Sequence, residues 1–235
     1  MKIEFYGSAL VADGKRFAPD VRTFSQMRPV LAFPQKDCGL EPDEGLYYMY
    51  RGVREFGPIR YDVTKIISTN LCGERNKTYG HAHPPSPKGA CWPEIYEVLS
   101  GSSHTLLQKI GRLGVEDAAL VVGKKGDCIL IPPGYGHVTI NAGKTDLVLS
   151  NLVSSRFSSD YSPYTHRRGA CFYETIDGKI IRNKSYGLDF ELRQVAAPKF
   201  SSSFGCFSPF KKGGLLQAAK DYRNIEFLDK PEEFY

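Results

Sequence analysis

Residues 126–141 read Gly126-Asp127-Cys128-Ile129-Leu130-Ile131-Pro132-Pro133-Gly134-Tyr135-Gly136-His137-Val138-Thr139-Ile140-Asn141. A short apolar run, a Pro-Gly turn and a second run rich in β-branched residues describe a strand that folds back on its neighbour. The turn sets His137 at the head of the returning strand, where its imidazole can point into a barrel mouth.

The same texture continues outward in both directions. Strand-like runs stand at residues 95–99, 104–110, 118–122 and 146–153, separated by Gly101-Ser102, Gly111 to Gly114, Gly123 to Gly126 and Asn141-Ala142-Gly143. Upstream, residues 46–50 and 60–69 flank Glu55-Phe56-Gly57-Pro58. Downstream, residues 170–176 and 179–181 flank Asp177-Gly178, a strong two-residue hairpin signal. Many short strands with regular turns predict an all-β sandwich or barrel.

The expected organisation is a single domain. Residues 1–45, rich in Pro, Gly and charge, form an arm packed on the barrel, residues 46–190 form the barrel, and residues 191–235 form an extension. Within that extension residues 196–212 read as a surface loop and residues 214–221 as a short helix.

Composition narrows the function. The chain has 235 residues, 41% hydrophobic and 24% charged, which suits an ordinary globular core. Residues 1–15 lack the apolar region and cleavage site of a secretory signal, and no apolar run reaches the ~18 residues of a membrane span. A soluble cytoplasmic protein is therefore expected. The net charge of +5 is spread over isolated pairs such as Lys124-Lys125, Arg167-Arg168 and Lys211-Lys212. Nucleic-acid binding wants a clustered basic face, and a small positive excess fits an anionic metabolite at least as well; by itself the charge decides nothing. Six cysteines without a C-x-x-C pair are expected to be buried thiols.

His81 and His83 lie two apart on a strand-like stretch, where side chains share a face about 6.6 Å apart. They can serve one metal ion or be an ordinary surface or core pair. Glu94, Tyr96 and Val98 share one face by period-2 alternation, Ile95 and Glu97 the other. If the first is the inner face, Glu94 joins His81, His83 and His137 as a ligand set with open positions, suited to Fe(II), Mn(II), Ni(II) or Zn(II). Because histidines bind metal only when neutral, such an ion is expected to leave as pH falls below about 6. His104 and His166 have no partner motif and stay outside the site.

The motifs resemble those of a known family. Gly126 to Asn141 fits the second cupin motif, G-x5-P-x-G-x2-H-x3-N, at every defined position, and Gly80 to Gly101 resembles the first, H-x-H then E-x6-G. The first departs in its spacing, with ten residues, Pro84 to Pro93, between His83 and Glu94; this insertion is expected to form a stiff loop at the mouth. Lys77-Thr78-Tyr79-Gly80-His81-Ala82-His83, Pro93-Glu94-Ile95-Tyr96 and Leu106-Leu107-Gln108 are similar to the cupin-type glucose-6-phosphate isomerases of archaea and some bacteria.

That resemblance implies a double-stranded β-helix (jelly-roll) barrel, homodimeric, carrying one divalent ion per subunit, Fe2+ first and Mn2+, Ni2+ or Zn2+ as alternatives. It implies His81, His83, Glu94 and His137 as ligands, and Thr64, Thr78, Gly80 and Tyr161 as contacts to the sugar phosphate. The family's run before that tyrosine is replaced here by 153–160, so Arg156 or Lys77 is expected to supply charge for the phosphate. Moving a carbonyl between C1 and C2 needs either a base working through an enediol or a metal-assisted hydride shift. Glu94 is the candidate base, and Tyr96 either orients O1 or O5 or is a barrel-core aromatic. The competing readings are an Fe(II)-dependent cupin dioxygenase and a non-catalytic sugar-binding cupin.

Overall fold

The computed structural model of the chain describes residues 1–112, 114–187, 190–197 and 214–235. An N-terminal meander of β1 (Ile3–Tyr6), β2 (Ala9–Ala12) and β3 (Lys15–Phe17) precedes β4 (Asp20–Thr23) and α1 (Phe24–Met27). A long hairpin follows, β5 (Gly45–Phe56) and β6 (Ile59–Ile66), then the two-residue strands β7 (Asn70–Leu71) and β8 (Glu74–Arg75). The barrel continues through β9 (Glu94–Ser100), β10 (Ser102–Gly111), β11 (Gly114–Lys124), β12 (Cys128–Ile131), β13 (Tyr135–Asn141) and β14 (Leu147–Ser154). After α2 (Ser162–His166) come β15 (Phe172–Glu174), β16 (Ile180–Arg182), β17 (Leu192–Ala196) and α3 (Gly214–Ala218).

Two sheets enclose the core, one in the order β12-β9-β14-β6-β5-β4 and the other β13-β10-β11-β17. This is the all-β, double-stranded β-helix architecture that the family resemblance implies. Pairing is antiparallel except between β11 and β17, which run parallel.

Alternation assigns the faces. Val98, Leu106, Leu120, Ile129, Val138 and Leu149 meet between the sheets. Ile59, Tyr61, Val63, Ile95 and Leu152 point outward and are covered by Leu10 and Ala12 of the meander and by Leu215, Ala218, Phe227 and Leu228. All eight residues of β14 are consequently buried. Full burial of each of its valines and leucines contributes roughly 1.5–3 kcal/mol. Glu97 also points outward and accepts a hydrogen bond from the Leu215 backbone N–H at 2.9 Å. Glu94 is thereby left on the inner face with Tyr96 and Val98.

Three local expectations change. Residues 1–17, at the start of the expected arm, form a three-stranded meander whose second turn is Asp13-Gly14, both at positive φ (+46° and +81°). Such a turn matches the twist of flanking strands. Cys38 and Cys72, expected as free thiols, are joined in a disulfide with Cα atoms 4.8 Å apart. The two lie 34 residues apart in sequence, so no local spacing announces the pairing. Cys91, Cys128 and Cys171 are free, and Cys206 lies outside the described residues. The helix expected over 214–221 is limited to Gly214–Ala218, and most of the loop expected over 196–212 lies outside the described residues. Among the described residues, no helix is long and apolar enough to cross a membrane.

Candidate metal centre

His81, His83, Glu94 and His137 converge on one point. Every pair of their donor atoms lies within 4.8 Å. Glu94 Oε2 stands 3.4 Å from His83 Nε2, 3.4 Å from His137 Nε2 and 4.0 Å from His81 Nε2. Donors about 2.1 Å from a shared ion are separated by roughly 3.0–4.2 Å for bond angles from 90° to 180°. The three distances from Glu94 fall within that range.

Each side chain is aimed by identifiable local structure. Glu94 opens β9, and its Oε1 accepts a 2.6 Å hydrogen bond from Asn151 Nδ2 on the neighbouring β14. His81 and His137 are tied by reciprocal backbone hydrogen bonds of 3.2 and 2.9 Å. His83 Nδ1 is 2.9 Å from the Trp92 carbonyl, which can only accept, so the proton is on Nδ1 and the lone pair on Nε2. A hydrogen bond of this kind orients a histidine for metal binding. His83 Nε2 and Glu94 Oε2 are buried without a hydrogen-bond partner, an arrangement costly for a plain core but suited to donors for a cation.

The Pro84 to Pro93 insertion therefore acts from behind His83. It is closed by hydrogen bonds from Ser86 N to Ala90 O (2.7 Å) and Trp92 N to Pro84 O (3.3 Å). Trp92 stacks on Phe157, and Phe157 packs on the His83 ring at 4.6 Å between centroids. None of its residues lines the cleft, in contrast to the mouth position expected.

Burial dominates the electrostatics. It holds His81 and His137 well below the usual histidine range and His83 down to about 4, and it pushes Glu94 up to about 8. The protein groups by themselves thus favour neutral forms, and a divalent cation reverses the direction for Glu94. This moves the acid sensitivity expected from ordinary histidines. The histidines are already neutral at pH 6, so the competing proton belongs to Glu94. Metal affinity should fall about tenfold per pH unit as pH drops from 8 toward 5, with one proton displaced per ion, and steepen only near pH 4. Chelator competition across that range checks it; a loss centred on pH 6 would indicate ordinary histidines.

A cleft open to solvent lies over the four residues. Thr64, Thr78, Gly80, Tyr96 and Tyr161 all line it. Thr78 is fixed by its backbone pairing with Thr139, and Tyr161 follows Asp160, which pairs through its backbone with Ala82. Tyr96 Oη lies 3.2 Å from His137 Nε2. Gly80 has φ +91°, and a Cβ there would run into the Tyr164 ring and lie 2.6 Å from Val138 Cγ2. Gly80→Ala should cost about 2–4 kcal/mol and displace His81; denaturant unfolding alongside metal titration checks both.

Two expectations for the phosphate charge are corrected. Lys77 is buried beneath the site, its ammonium 2.5 Å from Glu74 Oε2 and 3.0 Å from the Val30 carbonyl. Arg156 lies on the outside, its Nε bonded to Asp229 at 2.6 Å. Neither lines the cleft. His104 bonds Glu174 at 2.6 Å, away from the centre. The cleft instead includes Arg51, Arg60, Asp62 and Asn151, which the sequence reading passed over. The signal was the parity of β6: once Thr64 faces inward, Asp62 and Arg60 do too.

Among known proteins, the family model described as Glucose-6-phosphate isomerase (GPI) matches residues 21–190. No curated protein matches the chain. Solved structures similar to it include an oxalate oxidase in complex with glycolate (20% identity, 45% of this chain and 47% of that chain, TM-score 0.35) and an oxalate decarboxylase from Lactobacillus farciminis (17%, 49% and 30%, 0.37). A third is an uncharacterized protein with a double-stranded beta-helix domain from Klebsiella pneumoniae subsp. pneumoniae (19%, 51% and 89%, 0.36). The chain spans about half the length of the structures it matches first.

Proposed function

The chain belongs to the glucose-6-phosphate isomerase family, and on that premise we propose that it interconverts glucose 6-phosphate and fructose 6-phosphate. What supports the reading is that the matched span, residues 21–190, contains every side chain of the convergent cluster and of the cleft over it.

His81, His83, Glu94 and His137 would hold one divalent ion, Fe2+ being the first candidate. Bound there, it supplies Lewis-acid stabilisation of the negative charge that builds on the sugar oxygens. Glu94 carries the proton between C1 and C2; the Asn151 amide holds its Oε1 and fixes the plane of the carboxylate. Tyr96 donates its hydroxyl hydrogen to O1 or O5. Thr64, Thr78 and Tyr161 hold the sugar phosphate, and Gly80 lets it approach the backbone. Trp92 and Phe157 close the side of His83 to water. A cytoplasmic homodimer acting on a small sugar phosphate, without nucleic-acid or membrane partners, completes the proposal.

Metal-loaded protein should convert fructose 6-phosphate to glucose 6-phosphate, read by coupling to a dehydrogenase. Failure to do so while a known isomerase succeeds alongside would overturn the reading. Oxygen uptake with a thiol or enediol substrate would favour a dioxygenase instead.

A further inference from the structure

Two parts of the chain outside the barrel strands meet behind His83. One is the Pro84 to Pro93 insertion. The other is residues 214–235, which lie beyond the span of 21–190 that the family model matches. Leu215, Ala218, Phe227 and Leu228 of that segment cluster with Ile95 and Leu152, the sequence neighbours of Glu94 and Asn151. The segment is thus seated on the outer face of the strands that carry the centre. Its final turns are the one-turn 3-10 helices Glu226–Leu228 and Pro231–Glu233, and Pro231 is buried.

From this base two carboxylates reach the back of the site. Glu232 accepts a hydrogen bond from Ser86 Oγ at 3.3 Å and pairs with Lys88 Nζ at 3.0 Å, both in the insertion. Asp229 accepts from Arg156 Nε at 2.6 Å and from Tyr222 Oη at 2.7 Å. Each contact leads to His83 in one further step. The insertion presents the Trp92 carbonyl to His83 Nδ1 at 2.9 Å. Arg156 precedes Phe157, whose ring packs on Trp92 at 5.7 Å and on the His83 imidazole at 4.6 Å between centroids. The Lys88 and Arg156 side chains are 67% and 57% exposed, so their ion pairs add little to stability. What they fix is the position of the loop and of Phe157, and partners behind a metal-binding histidine tune its affinity for the ion.

We propose that residues 226–232 form a clamp that holds His83 in its metal-binding orientation, with Asp229 and Glu232 as its positioning residues. This rests on the metal-centre reading of the histidine-glutamate cluster and not on the identity of the substrate. A segment that merely covered Ile95 and Leu152 would change stability without changing metal affinity.

The chain has a single tryptophan, Trp92, which is 5% exposed, so its fluorescence reports on the clamp directly. The test uses the full chain and compares wild type with Lys88→Met combined with Arg156→Met, with Lys88→Glu, and with Lys88→Glu combined with Glu232→Lys. Lys179→Met, which removes an exposed ion pair to Asp177, is the control. Chelator competition with Zn2+ should show about 10-fold weaker binding when Lys88 and Arg156 are both replaced, and quenching of Trp92 by acrylamide should rise. Lys88→Glu should weaken Zn2+ binding about 3- to 10-fold, and adding Glu232→Lys should bring it back to within about twofold of wild type. Lys179→Met should leave affinity and quenching unchanged, while its melting temperature stays close to that of the clamp variants. Zn2+ affinity within about twofold of wild type in the double methionine variant overturns the proposal, as does a loss without increased Trp92 quenching or one that charge reversal fails to rescue. Wild type that binds no divalent ion overturns the metal centre and the clamp together, whereas tight binding without isomerase activity removes the isomerase reading alone. Melting curves identify a variant that fails to fold, in which case the charge-reversed pair carries the comparison.

Discussion

Glu94→Gln should lower kcat by about 10³-fold or more and weaken metal binding about 10- to 100-fold. The substitution keeps the volume of the side chain and an oxygen to accept the 2.6 Å hydrogen bond from Asn151. It removes the negative charge that would balance the ion and the capacity to carry a proton. Glu94 is 3% exposed, so solvent cannot replace either. The two losses are separable, because saturating metal should restore occupancy without restoring turnover. A variant that, once loaded, turns over within tenfold of wild type would remove Glu94 from the role of base and leave it as a ligand.

His81→Ala should lose bound metal and activity together. His81 supplies one of the four donors, and no other histidine among the described residues stands near enough to replace it. Its backbone bonds to His137 do not depend on the side chain, so the barrel should fold and the loss should be local. His104→Ala provides the contrast: its imidazole bonds Glu174 outside the centre, so metal content should stay at the wild-type level. Full metal retention in His81→Ala would count against the ligand assignment.

Much of this site was legible before any coordinates. The Pro132-Pro133-Gly134 turn that aims His137, the spacing of His81 and His83, and the parity that puts Glu94 inside with Tyr96 are local properties of strands and turns. So were the barrel strands, because aromatic and β-branched runs alternate with glycine turns. The N-terminal meander escaped because its strands have only three or four residues, although Asp13-Gly14 was a hairpin signal in plain view. β17 escaped for another reason: its partner β11 lies far away in sequence, and its burial pattern is mostly exposed.

The cations show the limit most clearly. Lys77 sits next to the G-H-x-H stretch in sequence, yet its ammonium turns under the site to meet Glu74. Arg60 sits far from every motif, yet cross-strand register sets it in line with Glu94. Sequence proximity pointed to a charge that does not line the cleft, whereas Arg60 does.

The central claim joins a metal centre to sugar-phosphate isomerisation. Its most direct test is metal analysis of protein purified without added metal, followed by the coupled isomerase assay after chelation and return of each divalent ion. The account predicts roughly one ion per chain, loss of activity on chelation and recovery with at least one of Fe2+, Mn2+, Ni2+ or Zn2+. Full isomerase activity in protein stripped of metal would contradict it.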